Sequence, residues 1–592
     1  MTYSPPIREM QFALHEVVDA TSVLRAAGIE IDAETIDGVL EGAGDFCARV
    51  IAPLNASGDR QGCRRDGDSV ITPDGFKTAY EKFVAGGWPG VDCEERDGGG
   101  GLPSMIGSAI KEMLASANPS WALYTSLSTA AYRCLNANAS EGLRKRYLPQ
   151  LASGRWTGTM CLTEEHCGTD LGMLRTRAVP AEDDSFRLTG TKIFITSGEH
   201  DLAENIVHLV LARTPDAPAG TRGISLFAVP KRHVDKDGTV GARNGVFCDA
   251  IEEKMGLHGS ATCVLRFDNA VGHLVGELNK GLAAMFVMMN SARLGTGLQA
   301  LGVSELAGQM ALTYARERLQ SRAPTSLQDP AMPADPIINQ PDVRRMLLTQ
   351  AAWTNGGRML LYWLALHVDV RKKSSDPAAR QCADDILSLL TPMAKAFMSD
   401  RAVEVASLAM QVHGGAGYVT DYGVEQTLRD ARILPIYEGT NGVQAYDLLA
   451  RKVLGDDGRR LAGLLSTVRE FTGEAGIHPE TKPFRATLAK LCDDVEDLSA
   501  DLAEWSKNDD LRIGTSAADF LELIGYWMVA YFWARAAAVV HALADDATPF
   551  HHQQLALARF YFDKLLPNTA AIAARARSST ATLMDPAAIF AR

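Results

Sequence analysis

Two changes of texture, near Gly158 and near Gly281, restrict the fold more than any other feature of the chain. Between them short apolar segments recur: Thr159-Met160-Cys161-Leu162-Thr163, Phe186-Arg187-Leu188-Thr189, Lys192-Ile193-Phe194-Ile195-Thr196, Ile206-Val207-His208-Leu209-Val210-Leu211, Ile224-Ser225-Leu226-Phe227-Ala228-Val229 and Cys263-Val264-Leu265-Arg266-Phe267. Turn residues such as Ser197-Gly198 and Asp237-Gly238 separate them. Strands this frequent, without helices between them, predict an antiparallel sandwich or barrel rather than a doubly wound sheet. On either side the pattern is helical. Asp32-Ala33-Glu34-Thr35 opens one helix and Thr72-Pro73-Asp74-Gly75 opens the next, where Pro and an acidic residue suit a first turn. Gly98-Gly99-Gly100-Gly101-Leu102-Pro103 is a loop that permits close backbone approach. From Gly281 long helices run to the carboxyl end, interrupted by a proline-rich stretch at 321–341 and by Gly455-Asp456-Asp457-Gly458. The expected class is α+β: an N-terminal helical domain (1–157), a middle antiparallel β domain (158–276), a helical bundle (277–456) and an additional helical domain (457–592).

The formal charge of −13 argues against nucleic acid as a partner, because phosphate binding needs a basic surface. The ten cysteines contain no CxxC pair, and Met1-Thr2-Tyr3-Ser4-Pro5-Pro6 opens no signal-like apolar core. Free thiols in a cytoplasmic setting are expected. The apolar run 523–544 has the length of a bilayer span but contains Arg535 and His541. A charge at that depth costs roughly 3 kcal/mol, so a buried core helix is expected and stable membrane insertion is not.

One carboxylate stands out, in Leu434-Pro435-Ile436-Tyr437-Glu438-Gly439-Thr440-Asn441-Gly442. Pro435 and the glycines place Glu438 on a shaped loop before a helix starting near Val443. Walls of Ile433, Leu434, Ile436 and Tyr437 would strip its hydration and make it a stronger base. The plainer reading is a first-turn Glu facing the helix dipole. Two β-domain segments add to this. Thr163-Glu164-Glu165-His166-Cys167-Gly168-Thr169-Asp170 is a hydroxyl-rich turn with free backbone N–H groups. Phe194 and Thr196 stand two apart on one strand face, an aromatic beside a hydroxyl. Gly295-Thr296-Gly297-Leu298-Gln299-Ala300 fits a dinucleotide pattern but follows a helix instead of a strand, so its small residues are read as helix-packing positions. No HExxH occurs, His551-His552 reads as solvated surface, and no metal site is expected.

Taken in order, these segments resemble the acyl-CoA dehydrogenase family. The matching motifs are Met160-Cys161-Leu162-Thr163-Glu164 with Gly168-Thr169-Asp170, then Phe194-Ile195-Thr196 and Tyr314-Ala315-Arg316-Glu317-Arg318. Gln411-Val412-His413-Gly414-Gly415-Ala416-Gly417-Tyr418 and Ile436-Tyr437-Glu438-Gly439-Thr440 follow. Pro5-Pro6-Ile7-Arg8-Glu9-Met10, Lys254-Met255-Gly256-Leu257-His258-Gly259-Ser260 and the extra helical domain resemble a long subgroup that includes 3-methylmercaptopropionyl-CoA dehydrogenases.

The resemblance implies FAD as cofactor and α,β-desaturation of an acyl-CoA, with Glu438 taking the α-proton and a hydride passing to flavin N5. It implies cofactor contacts at Cys161, Thr163, Gly168, Thr169, Phe194, Thr196, Arg318, Gln411, Gly414, Gly415 and Thr440, with Gly417 easing backbone approach. Substrate contacts are implied at Thr169, Asn290, Arg293, Tyr437 and Gly439. Electron-transfer flavoprotein would be the acceptor and a homodimer the assembly. Glu165 stands in place of a family proline, which puts the rigidity of its turn in question. Pro341 and Gly442 replace family glutamines, and Ala292 occupies the position of an alternative base, which leaves Glu438. The implied alternatives are an acyl-CoA oxidase, against which the closing Ile589-Phe590-Ala591-Arg592 weighs slightly as no SKL-type end, and a non-catalytic flavin- and DNA-binding relative. For the acyl pocket, 121–129 and 285–289 are candidates, although methionines at helical spacing usually build core.

Overall fold

The computed structural model describes residues 3–235, 238–474 and 478–585, with Ala587; Asp237 of the expected turn and the closing residues 588–592 lie outside them. Two compact units result. One covers Gly42–Gly295, and the other joins Pro6–Glu41 to the chain from Thr296 onward.

In the first unit the helices before the sheet include α1 (Phe76–Ala85), α2 (Ser104–Ala117) and α3 (Pro119–Asn138). The helix α1 begins only at Phe76, after the left-handed Gly75, so Thr72-Pro73-Asp74-Gly75 forms the turn before the helix and not its expected first turn. Asn118 Oδ1 caps α3 by accepting from the Trp121 N–H at 3.0 Å. The glycine loop packs on its own preceding segment: Gly100 N–H donates to Gly90 O (2.8 Å) and Gly101 N–H to Cys93 O (2.9 Å). A Cβ on Gly99 would stand 2.5 Å from Cys93 O, so the close approach expected of this run is real and is made to backbone.

The main sheet holds β1 (Trp156–Cys161), β2 (Arg177–Pro180), β3 (Phe186–Thr196), β4 (Asn205–Ala212), β5 (Ser225–Pro230), β6 (Val246–Ile251) and β7 (Thr262–Val275). Their order is β1-β4-β5-β7-β3-β2, with β6 also on β7. The two expected segments at 186–196 form one continuous strand, since Gly190 lets the chain pass Thr176, whose Oγ1 would lie 2.5 Å from a Cβ. The sheet is antiparallel except for β1 and β4, which pair in parallel from Trp156↔Asn205 to Cys161↔Val210. Between those two strands the chain makes the β2–β3 hairpin, so it returns to β1 in the same direction.

In the second unit the long helix α4 (Gly281–Glu317), which begins in the first unit, continues from Thr296 and meets α5 (Pro341–Lys373) and α6 (Pro377–His413). The Gly297 of the rejected dinucleotide pattern sits inside α4, where a Cβ would meet Leu361 at 3.1 Å and Ala394 O at 3.3 Å. It is a helix-packing position, as read from the sequence. The proline-rich stretch is ordered around the buried Asp335, which accepts from the Ala323 and Asp329 N–H groups, each at 2.8 Å. Pro341 then occupies the first turn of α5. A short helix, α7 (Asn441–Tyr446), follows the Glu438 loop and begins two residues earlier than expected.

The added domain contributes α8 (Arg512–Leu543), which includes the apolar run 523–544 nearly to its end, and α9 (Pro549–Phe560). The most apolar window of α8 is 83% buried in protein. Trp533 Nε1–H donates to Ala352 O at 3.2 Å, and Arg535 lies over the Tyr531 ring at 5.6 Å. This helix is core, as its interior charge indicated. His551 departs from the expected solvated surface: it is buried and bonds Glu16 at 2.9 Å, while Phe550 meets Phe12 edge-on at 5.6 Å. Its neighbour His552 is exposed, because successive residues leave a helix on different faces.

Gly525 of α8 lies so close to α6 that a Cβ would stand 2.2 Å from the Phe397 ring. A Gly525→Val variant is therefore expected to lose about 1–3 kcal/mol of stability by overpacking, read from the denaturation midpoint. An unchanged midpoint would contradict this packing.

Candidate active site

Glu438 lies between Tyr437 and Gly439 on a tight loop, with φ at 59°, and Gly439 follows at 86°. A left-handed backbone is natural for glycine and costs a residue with a side chain roughly 1–2 kcal/mol. Neighbouring groups hold it there. Gln444 Nε2 donates to Glu438 O (3.2 Å), Lys395 Nζ donates to Gly439 O (2.8 Å), and the Asn441 N–H donates to Pro435 O (3.1 Å). The Tyr437 hydroxyl donates to Gln299 Oε1 on α4 at 2.5 Å. Burial, and then the adjacent Glu438 charge, push the Tyr437 phenol up, so it remains a neutral donor. Of the expected walls, Leu434 is buried and Ile433 and Tyr437 are half-buried, whereas Ile436 is exposed. Ile436 follows Pro435 round the turn and faces outward, so it does not desolvate the carboxylate within this chain.

The ends of α4 and α6 meet in the same unit. Tyr314 stacks on His413 with ring centroids 4.3 Å apart, which joins the end that carries Arg318 to the end that carries Gln411. Gly414 terminates α6 at φ 60°. Arg318, Gln411, Gly414, Gly415 and Thr440 are all exposed, and open space surrounds Gly414 and Gly415, so backbone there is accessible to a ligand.

In the β unit the two singled-out segments lie side by side. Ile193 N–H donates to Thr163 O at 2.9 Å, and Lys192 Nζ donates to Leu162 O at 2.9 Å. The Thr163 turn stays closed in spite of Glu165, which is exposed: Glu164 and Cys167 exchange backbone hydrogen bonds of 2.9 and 3.0 Å. The turn whose rigidity the missing proline put in question is thus closed by its own backbone. Register shifts between Cys263↔Ile195 and Leu265↔Lys192 leave Ile193 and Phe194 opposite Val264 alone. That bulge puts Lys192 inward and Phe194 outward, 59% exposed and at φ 58°. Thr163 and Thr196 are half-buried beside it, and Gly168 and Thr169 are exposed. An exposed aromatic in a strained backbone, flanked by hydroxyls and an open glycine turn, fits a planar heteroaromatic group such as a flavin. Cys161 differs: its side chain is buried in the sheet core, where burial pushes the thiol up to about 12, so the side chain is turned away from any ligand at this surface.

Sequence reading missed the ion pair that holds this turn. Glu164 Oε1 accepts from Lys192 Nζ at 2.8 Å, from the Thr176 hydroxyl at 2.7 Å and from the Thr176 N–H at 3.0 Å, while Oε2 accepts from the Arg175 N–H at 2.7 Å. Burial alone would raise this carboxyl; Lys192 and Thr176 more than offset it, and its pKa falls to about 2. A lysine inside an apolar strand was the available signal. Glu164, His166 and Cys167 also stand close enough together to suggest a cation site, but Glu164 is already committed to Lys192.

On α4, Arg293 is buried and its Nη1 donates to Asn290 Oδ1 at 3.3 Å. Met285 and Met288 belong to the core, as methionines at this spacing usually do. Trp121 is fully buried and donates to Phe76 O, whereas Thr125 and Thr129 line a cavity with Tyr80, Trp88 and Lys111.

Comparison with known proteins covers nearly the whole chain. Residues 34–155, 159–270 and 279–454 match the N-terminal, middle and C-terminal domains of acyl-CoA dehydrogenase, and 464–586 match a family described as "Acetyl-CoA dehydrogenase C-terminal like". A 3-methylmercaptopropionyl-CoA dehydrogenase of Ruegeria pomeroyi is 46% identical over 80% of each chain. A broad-specificity linear acyl-CoA dehydrogenase of Mycobacterium tuberculosis is 34% identical over 95% of this chain and 96% of its own. The solved butyryl-CoA dehydrogenase of Megasphaera elsdenii superposes with a TM-score of 0.58 at 26% identity, over 71% of this chain and 98% of its own.

The Glu164–Lys192 pair should matter for folding. With the pKa lowered from 4.5 to about 2, Glu164 contributes about 3 kcal/mol that is fully present above pH 4.5 and fades as pH falls toward 2. Glu164→Ala leaves Lys192 buried alone and is expected to cost about 3–5 kcal/mol at neutral pH in chemical denaturation. The gap from the native protein should narrow only below pH 4.5; a gap that does not change with pH would contradict the pair's role.

Proposed function

The chain belongs to the acyl-CoA dehydrogenase family, and from that premise we propose that it desaturates a short acyl-CoA, 3-methylmercaptopropionyl-CoA being the leading candidate, with Glu438 as the base. It is an FAD-dependent oxidoreductase. When bound, FAD supplies the acceptor for the hydrogen that leaves the β-carbon as hydride. The observation that carries the proposal is Glu438 itself, a carboxylate kept on a rigid loop at φ 59° beside a neutral, hydrogen-bonded Tyr437.

In this reading Glu438 removes a proton from the carbon next to the thioester carbonyl. That proton is weakly acidic, so donors fixed at the carbonyl oxygen are needed to stabilise the developing charge. The Glu438 backbone N–H is suited to this because the loop that aims the carboxylate also fixes its amide. Thr163, Phe194 and Thr196 would hold the flavin ring, with Phe194 against its face. Arg318, Gln411, Gly414 and Gly415 would take the nucleotide end, where exposed glycines leave backbone free. Arg293 and Asn290 would serve the substrate.

The 46% identity to a thioether-acyl-CoA dehydrogenase supports a short substrate, and the relative that matches along nearly the full length makes longer linear chains the natural comparison. Electron-transfer flavoprotein is the proposed acceptor and a homodimer the proposed assembly. Tyr418, Val419 and Tyr422, exposed beside the Gly414–Gly415 turn, form an apolar patch of the kind that a second copy covers.

Anaerobic titration of the holoenzyme with acyl-CoAs from propionyl to palmitoyl, including 3-methylmercaptopropionyl-CoA, tests the proposal through the oxidised-flavin absorbance. Bleaching by the short and thioether members is expected, with the rate in Glu438→Gln lower by at least about 10²-fold. A flavoprotein that no acyl-CoA bleaches would overturn the assignment, and bleaching by long chains alone would overturn the substrate class.

A further inference from the structure

The loop carrying Glu438 is held from α6 by a polar cluster. Lys395 is fully buried among Ala394, Ala396 and Phe397, a position where apolar side chains are the norm. Its Nζ donates to Gly439 O at 2.8 Å and to Asn441 Oδ1 at 2.9 Å. Asn441 in turn donates through Nδ2 to Ala396 O (3.0 Å), to Ser399 Oγ (3.0 Å) and to Asp400 Oδ1 (2.8 Å). One turn of α6 therefore grips the two residues that flank Thr440, directly after the base.

A lysine carried into a core costs far more than an apolar residue unless oxygen atoms surround its head. Here two of the oxygens at its head belong to the loop, and one of them is the backbone carbonyl of the residue after Glu438. The left-handed Glu438 and the positive-φ Gly439 form a conformation that persists only where its surroundings over-determine it. Lys395 and Asn441 supply that constraint from one side, and Gln444 supplies it from the other, so close that a Cβ on Gly439 would stand 2.4 Å from Gln444 Nε2.

We propose that Lys395, acting with Asn441, is a positioning residue for the reaction: it fixes the Gly439 carbonyl, and through it the direction in which the Glu438 carboxylate and amide point. The inference rests on the reading of Glu438 as the base. It assigns Lys395 no proton transfer and no contact with substrate or FAD. Loss of the clamp should therefore slow proton abstraction by a larger factor than it weakens the binding of either ligand, because a displacement of the base by about 1 Å can cost on the order of 10²-fold in rate.

The test is stopped-flow flavin reduction in the FAD-loaded, full-length protein at saturating acyl-CoA. Lys395→Met and Asn441→Ala are measured singly and together, with FAD content and enoyl-CoA affinity recorded for each. The expected result is a reduction rate at least tenfold lower in each single variant, with FAD content and enoyl-CoA affinity falling by a clearly smaller factor. The double variant should be no slower than the slower single one, because both remove one clamp. If Lys395→Met does not fold, Asn441→Ala alone reads the same clamp from its half-exposed side. Native rates in a folded Lys395→Met or Asn441→Ala holoenzyme would overturn the proposal, as would a loss of affinity matching the loss of rate, or strictly multiplicative effects in the double variant. Glu438→Gln, measured alongside, separates the two claims: if it reduces flavin at the native rate, the base assignment fails; if it does not while Lys395→Met does, only the clamp fails.

Discussion

Glu438 stands in a left-handed backbone conformation, and much of its unit can be read as the means of keeping it there. The strain, roughly 1–2 kcal/mol for a residue with a Cβ, is small beside the hydrogen bonds that converge on the loop, but it would release the loop if they were absent. Three helices supply them: α4 through Gln299, α6 through Lys395, and α7 through Gln444. Each donor or acceptor is a long polar side chain on a packed helix, so the direction of the carboxylate is set by rigid elements even though the residue lies on a loop. Glycine at 439 follows from the same crowding.

The β unit solves a similar problem with a different device. An ordinary strand would alternate Lys192, Phe194 and Thr196 on one face. The bulge at Ile193 and Phe194 breaks that alternation, sends Lys192 into the core to pair with Glu164, and turns Phe194 out to meet a ligand. One irregularity thus makes both the internal ion pair that stabilises the turn and the exposed aromatic that the turn presents.

Much of this was legible in the sequence. The helical–β–helical order, the helix start at Asp32, the break at Gly455-Asp456-Asp457-Gly458 and the burial of 523–544 all follow from local periodicity and punctuation, where one residue's chemistry decides its neighbourhood. Glu438 and the segments around Thr163 and Phe194 stood out by residue type and placement, whereas Arg318 and Gly414 were singled out only through the resemblance to acyl-CoA dehydrogenases. What escaped were pairings across distance. Nothing near Lys395 in the chain announces that its amine meets Gly439, and nothing near His551 announces Glu16, 535 residues away. The parallel β1–β4 pair was hidden for the same reason, because strand direction depends on where the chain returns. The side chains of Ile436, exposed, and Cys161, buried, do not face where the sequence reading placed them, because proximity in sequence to a functional residue does not fix which way a side chain points.

The added C-terminal domain fits this account as a wall behind α6. Its helix α8 lies against Phe397 through Gly525, two residues beyond Lys395, and packs on α5 through Trp533. The account stands or falls on Glu438 as the group that takes the α-proton. The most direct measurement is solvent exchange of the α-hydrogens of a 3-thia-acyl-CoA, in which sulfur occupies the β-position and leaves no hydride to transfer, followed by NMR in deuterated buffer with native and Glu438→Gln holoenzymes. The account predicts α-deuterium incorporation in the native protein and none above the uncatalysed rate in the variant. Exchange persisting in Glu438→Gln would show that another group is the base and would contradict the account at its centre.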